Sequence, residues 1–278
     1  MSAPAYELPA ELPHQPSLSL VTPLPQVAPG PNPFAKVAIV IVAYEAASTI
    51  ASVLDRIPEP IARSVGAVLV SDDHSSDRTA AVAEEWGKAH PAVPLTVVAQ
   101  GQNLGYGGNQ KFCYRWAITR GFEQAIMVHG DGQYAPELVA EMVRPLLAGG
   151  SAAVFGSRML SRGGARRGGM PTYKYVGNKV LTRFQNVVTG LRLSEWHSGY
   201  RAYDLATVAS MPLDKMSDGF DFDTEIILQL ADRKATINEI PIPTFYGNEI
   251  CRVNGVRYAL DVMTDVLSHR FARRANAA

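Results

Sequence analysis

A regular alternation of strand-like and helix-like segments constrains the fold of this chain most strongly. Residues 37–42 form an unbroken apolar run rich in β-branched side chains, which is typical of a strand buried on both faces. Four further apolar runs, at residues 67–70, 95–98, 125–128 and 152–155, are each preceded by a stretch of helical character. Because this alternation indicates βαβ units, we predict an α/β fold with helices flanking a mainly parallel central sheet.

The two ends of the chain differ from this central pattern. Residues 1–34 are rich in proline, which forbids regular elements, and we predict a disordered leader there. Residues 35–250 are predicted to form the main domain. In residues 251–278, Val256, Leu260, Met263 and Leu267 recur at helical spacing, which predicts an amphipathic helix packed on or beside that domain.

The chain shows no sequence signal for export or for crossing a membrane. No run approaches the roughly 18 apolar residues of a transmembrane helix, and the N-terminus lacks the charged-then-apolar pattern of a secretory signal. The sequence therefore predicts a cytoplasmic protein. A peripheral contact of the final helix with the inner membrane face is the alternative.

The balance of charge limits the partners. Lys and Arg number 26, as do Asp and Glu, so the formal net charge is zero. This balance argues against a nucleic-acid-binding protein, which usually carries a basic excess. A small anionic ligand remains compatible, because a phosphate site needs only a few local groups.

Adjacent acids follow the second predicted strand. In parallel sheets the ligand crevice lies beyond the carboxyl ends of the strands. Asp72 and Asp73 stand at such an end, where their mutual repulsion is tolerated if they bind ribose hydroxyls, base N–H groups or a cation. We predict that Asp72 accepts hydrogen bonds from a nucleoside. The alternative is that this stretch only caps the following helix.

A glycine-rich loop follows the third predicted strand. Residues 101–109 contain four glycines, which allow backbone N–H groups to approach a ligand closely. The loop is not a dinucleotide-binding fingerprint, because Gln110 occupies the place of its last glycine and the loop does not follow the first strand. A glycine-rich turn without a ligand is the alternative.

Three polar side chains alternate after the fourth predicted strand. Residues two apart in an extended segment share a face, so His129, Asp131 and Gln133 are predicted to converge. Oxygen ligands suit Mg²⁺, and Mn²⁺ also accepts an imidazole. We predict a divalent metal site here that neutralises a diphosphate. The alternative is a core histidine at His129 and a turn opened by Asp131.

Two arginine-bearing segments complete the set of candidates. Arg201 lies in a stretch dense in aromatic residues and is predicted to pair bidentately with a phosphate. Residues 158–167 carry four arginines among glycines. This loop either closes over an anionic substrate or forms a solvated basic turn.

Six short motifs together resemble a known family. They stand at residues 40–45, 72–79, 103–109, 131–137, 156–158 and 198–201. In this order the chain resembles the family 2 glycosyltransferases of GT-A fold, and within them the dolichyl- or polyprenyl-phosphate sugar synthase-like branch. Each motif alone is weak, whereas six in register are highly specific.

The resemblance implies a nucleotide-diphosphate sugar donor, Mg²⁺ or Mn²⁺ as cofactor, and inversion at the anomeric carbon. It implies a metal site at Asp131 and Gln133, with the His129 imidazole as a replacement ligand, and catalytic roles for Asp131 and Arg201 at the phosphates. We add Glu225, which lies near the start of a predicted helix, as a candidate catalytic base. The residues implied to bind the donor are Ala43, Tyr44, Glu45, Asp72, Asp73, Asn103, Gly107, Asn109, Gly130 and Arg158. His129 departs from the family, which usually has an aspartate there, and residues 244–249 lack the basic pair that the family often carries.

The acceptor is left open between two chemistries. A polyprenyl phosphate is already anionic and needs no strong base, whereas a saccharide hydroxyl needs one. The candidate bases are Glu195, His197, Asp221, Asp223 and Glu225. A third hypothesis is a non-catalytic nucleotide-sugar-binding protein, motivated by the missing acid at His129.

Overall fold

The computed structural model of the chain describes residues 32–244 and 255–277. The described residues from Pro33 onward form one compact unit. The predicted leader falls almost entirely outside the described residues, so its disorder and the predicted domain boundaries remain predictions.

Seven strands form one sheet in the described part of the chain. Its order is β3-β2-β1-β4-β6-β5-β7. Every pairing is parallel except those of β6 with β4 and with β5, which confirms the predicted α/β fold with a mainly parallel sheet. The strands are β1 (Val37–Ala43), β2 (Ala67–Asp72), β3 (Leu95–Ala99), β4 (Gln124–His129), β5 (Ala153–Ser157), β6 (Arg201–Asp204) and β7 (Ile237–Pro241).

Helices cover both faces of this sheet. They are α1 (Ile50–Asp55), α2 (Glu59–Ser64), α3 (Thr79–Ala89), α4 (Tyr106–Thr119), α5 (Val139–Leu147), α6 (Gly164–Arg167), α7 (Thr172–Thr189), α8 (Leu205–Ala209), α9 (Phe222–Asp232) and α10 (Gly255–Ala277). Short 3-10 turns at Pro136–Leu138 and Leu213–Lys215 precede α5 and α9.

Strand β1 lies at the centre of two cores. All seven of its residues are buried, as its apolar run predicts. Val37, Ile39 and Ile41 point to the side of α1 and α5, while Ala38 and Val40 point to the side of α4 and α9. The alternation follows from the period of two along a strand, so one unbroken apolar run supplies both cores.

The last helix, α10, contacts α7 and α9. Val262 and Val266, one helical turn apart, are fully buried in this contact. Within the described residues, no helix combines the length and apolar composition that a membrane span requires.

Asp265 on α10 makes stability depend on pH. Its Oδ2 is buried without a hydrogen-bond partner among the described residues. Burial, together with the nearby acids Asp221, Glu225 and Asp261, raises the pKa of Asp265 from 3.8 to about 7. The folded state therefore holds this proton at pH values where the unfolded chain has lost it. Stability contributed by the protonated form is lost as pH rises from about 4 to about 7.

We expect Asp265→Asn to raise the melting temperature more at pH 8 than at pH 5, because asparagine stays neutral at both. Thermal denaturation of both proteins at the two pH values measures this. Asp232→Asn on α9 is the matched control: that carboxylate accepts from His269 at 3.0 Å, so its removal is not expected to stabilise the protein at pH 8. An equal gain for Asp265→Asn at both pH values would contradict the assignment.

Candidate functional site

The carboxyl ends of three neighbouring strands bring the predicted residues to one edge of the sheet. Ala43 at the end of β1 pairs with Asp72 at the end of β2. On the other side, Val42 pairs with His129 at the end of β4. The side chains that follow these strands therefore meet at one edge, as parallel strands require.

The loops after β1 and β2 are tied together by Glu45. Its Oε1 accepts hydrogen bonds from the Ser76 amide at 2.8 Å and from the Ser76 hydroxyl at 2.9 Å. Its own amide donates to Ser75 Oγ at 2.8 Å. Glu45 is thus occupied in joining two loops, whereas the neighbouring Tyr44 is 42% exposed.

The two adjacent acids have different surroundings. Asp72 Oδ1 accepts a short hydrogen bond from the Ser75 hydroxyl. Asp73 Oδ1 accepts from the Leu104 amide at 2.7 Å, and its carbonyl accepts from Asn103 Nδ2 at 3.0 Å. Burial raises the pKa of Asp73. Asp73 and Asn103 therefore hold the glycine-rich loop against β2, which leaves Asp72 as the better candidate for the nucleoside.

The glycine-rich loop packs against protein more than it faces a ligand. Helix α4 begins at Tyr106, within the glycine-rich loop and directly after Gly105 with its φ of 78°. A side chain at Gly107 would lie 2.7 Å from Phe222 Cβ. Asn109 is 2% exposed and bonds Ser71 through both ends of its amide. Gly107 and Asn109 are thus placed in the interior, which disagrees with their predicted donor contact.

Contrary to the prediction from sequence, the three polar side chains after β4 do not share a face of an extended segment. The strand ends at His129, and Gly132 adopts a φ of 76°, so residues 130–133 turn instead of continuing extended. Asp131 is exposed, with its Oδ1 accepting from the Gln133 amide at 3.0 Å. The turn places Asp131 and Gln133 next to each other in the loop, while His129 packs among aromatic side chains.

His129 belongs to a polar network that sequence analysis did not predict. Its ring packs edge-on between Tyr106 and Tyr134, at centroid distances of 5.6 and 4.9 Å. Its Nε2 lies 3.3 Å from the Tyr106 hydroxyl, which donates to Asp223 Oδ2 at 3.0 Å. Burial lowers the pKa of His129, so the ring is neutral near neutral pH. Tyr106 could have been noticed as the one aromatic residue of the glycine-rich loop; Tyr134 carried no comparable signal.

Gly199 closes over this network. Its amide donates to the Tyr134 hydroxyl at 2.8 Å. A side chain here would place its Cβ 2.7 Å from His129 Nε2 and 2.7 Å from the Tyr106 hydroxyl. Only glycine therefore allows the chain before β6 to lie against the His129 ring.

Arg201 is enclosed instead of facing a phosphate. The side chain is 1% exposed. It donates to the carbonyls of Ser198 at 2.7 Å, Asp223 at 2.7 Å and Trp196 at 2.8 Å. Its Nη1 also lies 3.6 Å from Asp223 Oδ1. This geometry disagrees with the predicted phosphate contact and gives Arg201 a positioning role.

The carboxylate that reaches the network is Asp223, not Glu225. Glu225 Oε2 accepts from the Ser217 amide at 2.6 Å. One face of α9 thus turns Asp223 toward Tyr106, while Glu225 stabilises the loop before the helix. Asp223, which the sequence offers only as one of five candidate bases, therefore contacts the network in place of Glu225.

Arg158 lies at the carboxyl end of β5 in a buried ion pair. Its Nε donates to Glu195 Oε1 at 2.9 Å, and its Nη2 donates to the His197 carbonyl at 3.0 Å. Burial alone would raise the pKa of Glu195, but the Arg158 charge and hydrogen bonds outweigh it and lower that pKa. The pair fixes the chain just before Gly199.

The side chains present fit a metal that is shared with a substrate. Among the described residues, no three His, Cys, Asp or Glu side chains are grouped closely enough to hold a metal ion. Mg²⁺ is usually bound through one or two carboxylates plus substrate phosphates, not by an all-protein cage. Exposed Asp131, with Gln133 beside it, suits this arrangement. The neutral His129 ring would not repel the ion.

Comparison with known proteins identifies the family of this chain. Residues 38–204 match the family described as Glycosyl transferase family 2. An undecaprenyl-phosphate mannosyltransferase of Micrococcus luteus is 27% identical over 216 residues, which cover 77% of this chain and 85% of that protein. A polyprenol monophosphomannose synthase of Mycolicibacterium smegmatis is 27% identical and covers 66% of this chain and 68% of that protein. Both support the predicted resemblance to the polyprenyl-phosphate branch.

Solved structures share the fold. Glucosyl-3-phosphoglycerate synthase from Mycobacterium tuberculosis with UDP superposes with a TM-score of 0.67 at 21% identity, covering 89% of this chain and 86% of that one. The same enzyme with Mn²⁺, UDP and glucosyl-3-phosphoglycerate gives a TM-score of 0.62 at 22% identity, covering 88% and 85%. The sheet is therefore that of GT-A nucleotide-sugar transferases. Since the family match spans more than half of the sequence, the chain belongs to glycosyl transferase family 2.

Proposed function

We propose that this glycosyltransferase moves a hexose from a nucleotide-diphosphate sugar to a polyprenyl phosphate, with inversion, at the inner face of the membrane. Two relatives with polyprenyl-phosphate or polyprenol names, one matched over 85% of its length, support the acceptor class. The observation that carries the proposal is that the candidate bases for a hydroxyl acceptor are all engaged within the fold.

Each candidate base already has a protein partner. Glu195 pairs with Arg158, and Glu225 accepts from Ser217. Asp221 accepts from the Ser217 hydroxyl, and His197 Nδ1 lies 2.9 Å from the Tyr258 hydroxyl. Asp223 is 6% exposed and accepts from Tyr106 and Gln110. A phosphate acceptor suits such a site, because its oxygen is already a nucleophile near neutral pH.

The proposed reaction follows from these positions. An oxygen of the acceptor phosphate attacks the anomeric carbon, and the bond from that carbon to the nucleoside diphosphate breaks on the opposite face. Asp72, with Ala43 and Tyr44 beside it, would hold the nucleoside, while Gly130, Asp131 and Gln133 would lie at the diphosphate. A divalent metal bound there would neutralise the departing diphosphate.

A hydroxyl acceptor is the second candidate, favoured by one observation. Asp223 touches Tyr106, whose hydroxyl lies 3.3 Å from His129 Nε2 at the same edge as Asp131. If Tyr106 moves when an acceptor binds, Asp223 becomes the available base. Asp223→Asn, with its melting temperature measured because Arg201 loses its partner, separates the two reactions. In the folded variant a phosphate acceptor needs no base, whereas a hydroxyl acceptor loses its base.

The test uses purified protein, Mg²⁺ or Mn²⁺, and a panel of labelled UDP- and GDP-sugars. Each donor is offered a polyprenyl phosphate, the corresponding polyprenol and an oligosaccharide. We expect label only on the polyprenyl phosphate, loss of transfer with EDTA, and recovery when the metal is restored. Label on the oligosaccharide alone would establish the second candidate instead.

Gly199→Ala is expected to lower transfer by about a hundredfold, because a displacement of about 1 Å in a reacting geometry has this effect. The added Cβ would push against His129 and the Tyr106 hydroxyl, each only 2.7 Å away. Steady-state transfer assays and the melting temperature measure the change. Gly177→Ala, where an added Cβ meets nothing within 4 Å, is the matched control. Equal activity of the two variants would show that the network does not position the site.

A further inference from the structure

The positive charge of this neutral chain is concentrated in one segment. Residues 158–193, here called the basic segment, contain eight Lys and Arg and no Asp or Glu. Since the whole chain has 26 of each sign, the remaining residues carry an excess of eight acids. The cations are Arg158, Arg162, Arg166, Arg167, Lys174, Lys179, Arg183 and Arg192. Arg158 is neutralised by buried Glu195, and the other seven cations make this segment strongly cationic in a neutral protein.

Helix α7, the main element of the basic segment, exposes one apolar face. Tyr173, Val176, Val180 and Val187 are each more than half exposed. Their spacing of three, four and seven residues places them on one face, here called the α7 stripe. The opposite side buries polar residues, because Thr182 is 5% exposed and Gln185 fully buried. Phe184 and Val188 also pack inward against the core, so α7 buries one mixed face and leaves a second, apolar face exposed. A contiguous exposed apolar face of this kind marks an interaction surface.

Cations flank the α7 stripe. Lys179 and Arg183 are exposed, and together with Val187 they line a shallow groove along α7. Neither forms an ion pair with any residue that the structure describes. An apolar stripe bordered by unpaired cations is the composition of a helix that lies in the interface of an anionic bilayer.

The basic segment begins at the candidate site. It starts with Arg158, directly after the carboxyl end of β5, and Arg158 bonds the carbonyl of His197, two residues before Gly199. Gly199 lies against His129. The basic segment is therefore continuous in sequence with the edge of the sheet where the donor is proposed to bind.

We infer that the α7 stripe and its flanking cations dock this enzyme on an anionic lipid bilayer. The inference rests on the proposed function, because docking would bring the enzyme to its lipid acceptor. Binding to vesicles can be measured without catalysis. A second copy of the chain fits the face less well, because two such cationic surfaces would repel each other across a twofold axis.

The test is flotation of the full-length protein with vesicles of phosphatidylcholine alone, or with about 30% phosphatidylglycerol added. The native chain is expected to float with the anionic vesicles and to be released by high salt. Lys179→Glu with Arg183→Glu is expected to lower partitioning at least tenfold, as is Val176→Ser with Val180→Ser. Arg63→Glu with Lys88→Glu, at the opposite edge of the sheet, is the charge-matched control and is expected to float like the native chain.

Parallel assays separate this inference from the proposed function. Transfer to a short-chain prenyl phosphate that dissolves without vesicles is expected to be unchanged in the docking variants, while transfer to a long-chain acceptor in vesicles falls. If the native chain transfers sugar to neither acceptor, the proposed function is contradicted, but the flotation result is unaffected. Native-like flotation of both variants, or loss of a native dimer in Val176→Ser with Val180→Ser, would overturn membrane docking.

Discussion

Replacing Asp131 by asparagine is expected to lower sugar transfer by about a thousandfold, because a metal at a departing diphosphate supplies several kcal/mol of stabilisation. Asparagine keeps the shape and can still accept from the Gln133 amide, so the loop conformation is preserved. Asp131 is exposed and forms no ion pair with any described residue, so the melting temperature is expected to stay unchanged. Transfer assays and thermal denaturation together measure this.

Metal-dependent donor binding provides a readout that does not require turnover. Nucleoside diphosphate with Mn²⁺ is expected to raise the melting temperature of the native chain and not that of Asp131→Asn. Glu84→Gln, an exposed carboxylate on α3, removes the same charge away from the site and is expected to behave like the native chain. A thermal shift that survives in Asp131→Asn would place the metal elsewhere.

His129 stands where the family usually has an aspartate. In the structure its Nε2 faces Tyr106, and the ring is wedged between two tyrosines, so the network gives it a packing role whether or not Nδ1 reaches a metal. The proposed site thus depends on one carboxylate, Asp131, where the family usually supplies two. This arrangement needs the donor diphosphate to complete the coordination of the ion.

The fold was accessible from sequence because one physical rule governs most of it. An unbroken run of apolar, β-branched side chains such as β1 is buried completely only when helices cover both faces of the strand. Strand β6 was harder to predict, because antiparallel insertion between β4 and β5 depends on distant pairings such as Met127 with Arg201. Its sequence is short and mixed, so no period reveals its direction.

The part of the candidate site at the strand ends could be predicted from sequence, whereas the contacts that depend on packing could not. The edge formed by Ala43, Asp72 and His129 follows directly from strand register. The roles of Gly199 and Asp223 do not, because each depends on a contact with residues more than 60 positions away. A single sequence also cannot distinguish an arginine that faces solvent from one that is buried.

Arg201→Met is expected to destabilise the protein by about 3–5 kcal/mol, because removing one partner of a buried ion pair leaves the other uncompensated. Asp223 would lose its nearby cation, and the carbonyls of Ser198 and Trp196 would lose their donors. For a chain of this size the melting temperature is expected to fall by about 10 °C. Arg201→Lys should recover only part of this loss, since lysine lacks the planar fork that reaches three carbonyls.

The size of this loss decides between two roles for Arg201. A residue that contacts phosphate, as the sequence predicts, would lose substrate affinity on substitution while the protein melted normally. If Arg201 instead holds Asp223 and the chain before β6, its substitution would mainly destabilise the protein. Transfer would then fall because Gly199 no longer packs against His129. Arg63→Met, which removes a surface arginine paired with Glu59, is the control and is expected to change stability by no more than about 0.5 kcal/mol. A native melting temperature for Arg201→Met, combined with a raised KM, would support the predicted phosphate contact and contradict the enclosed geometry.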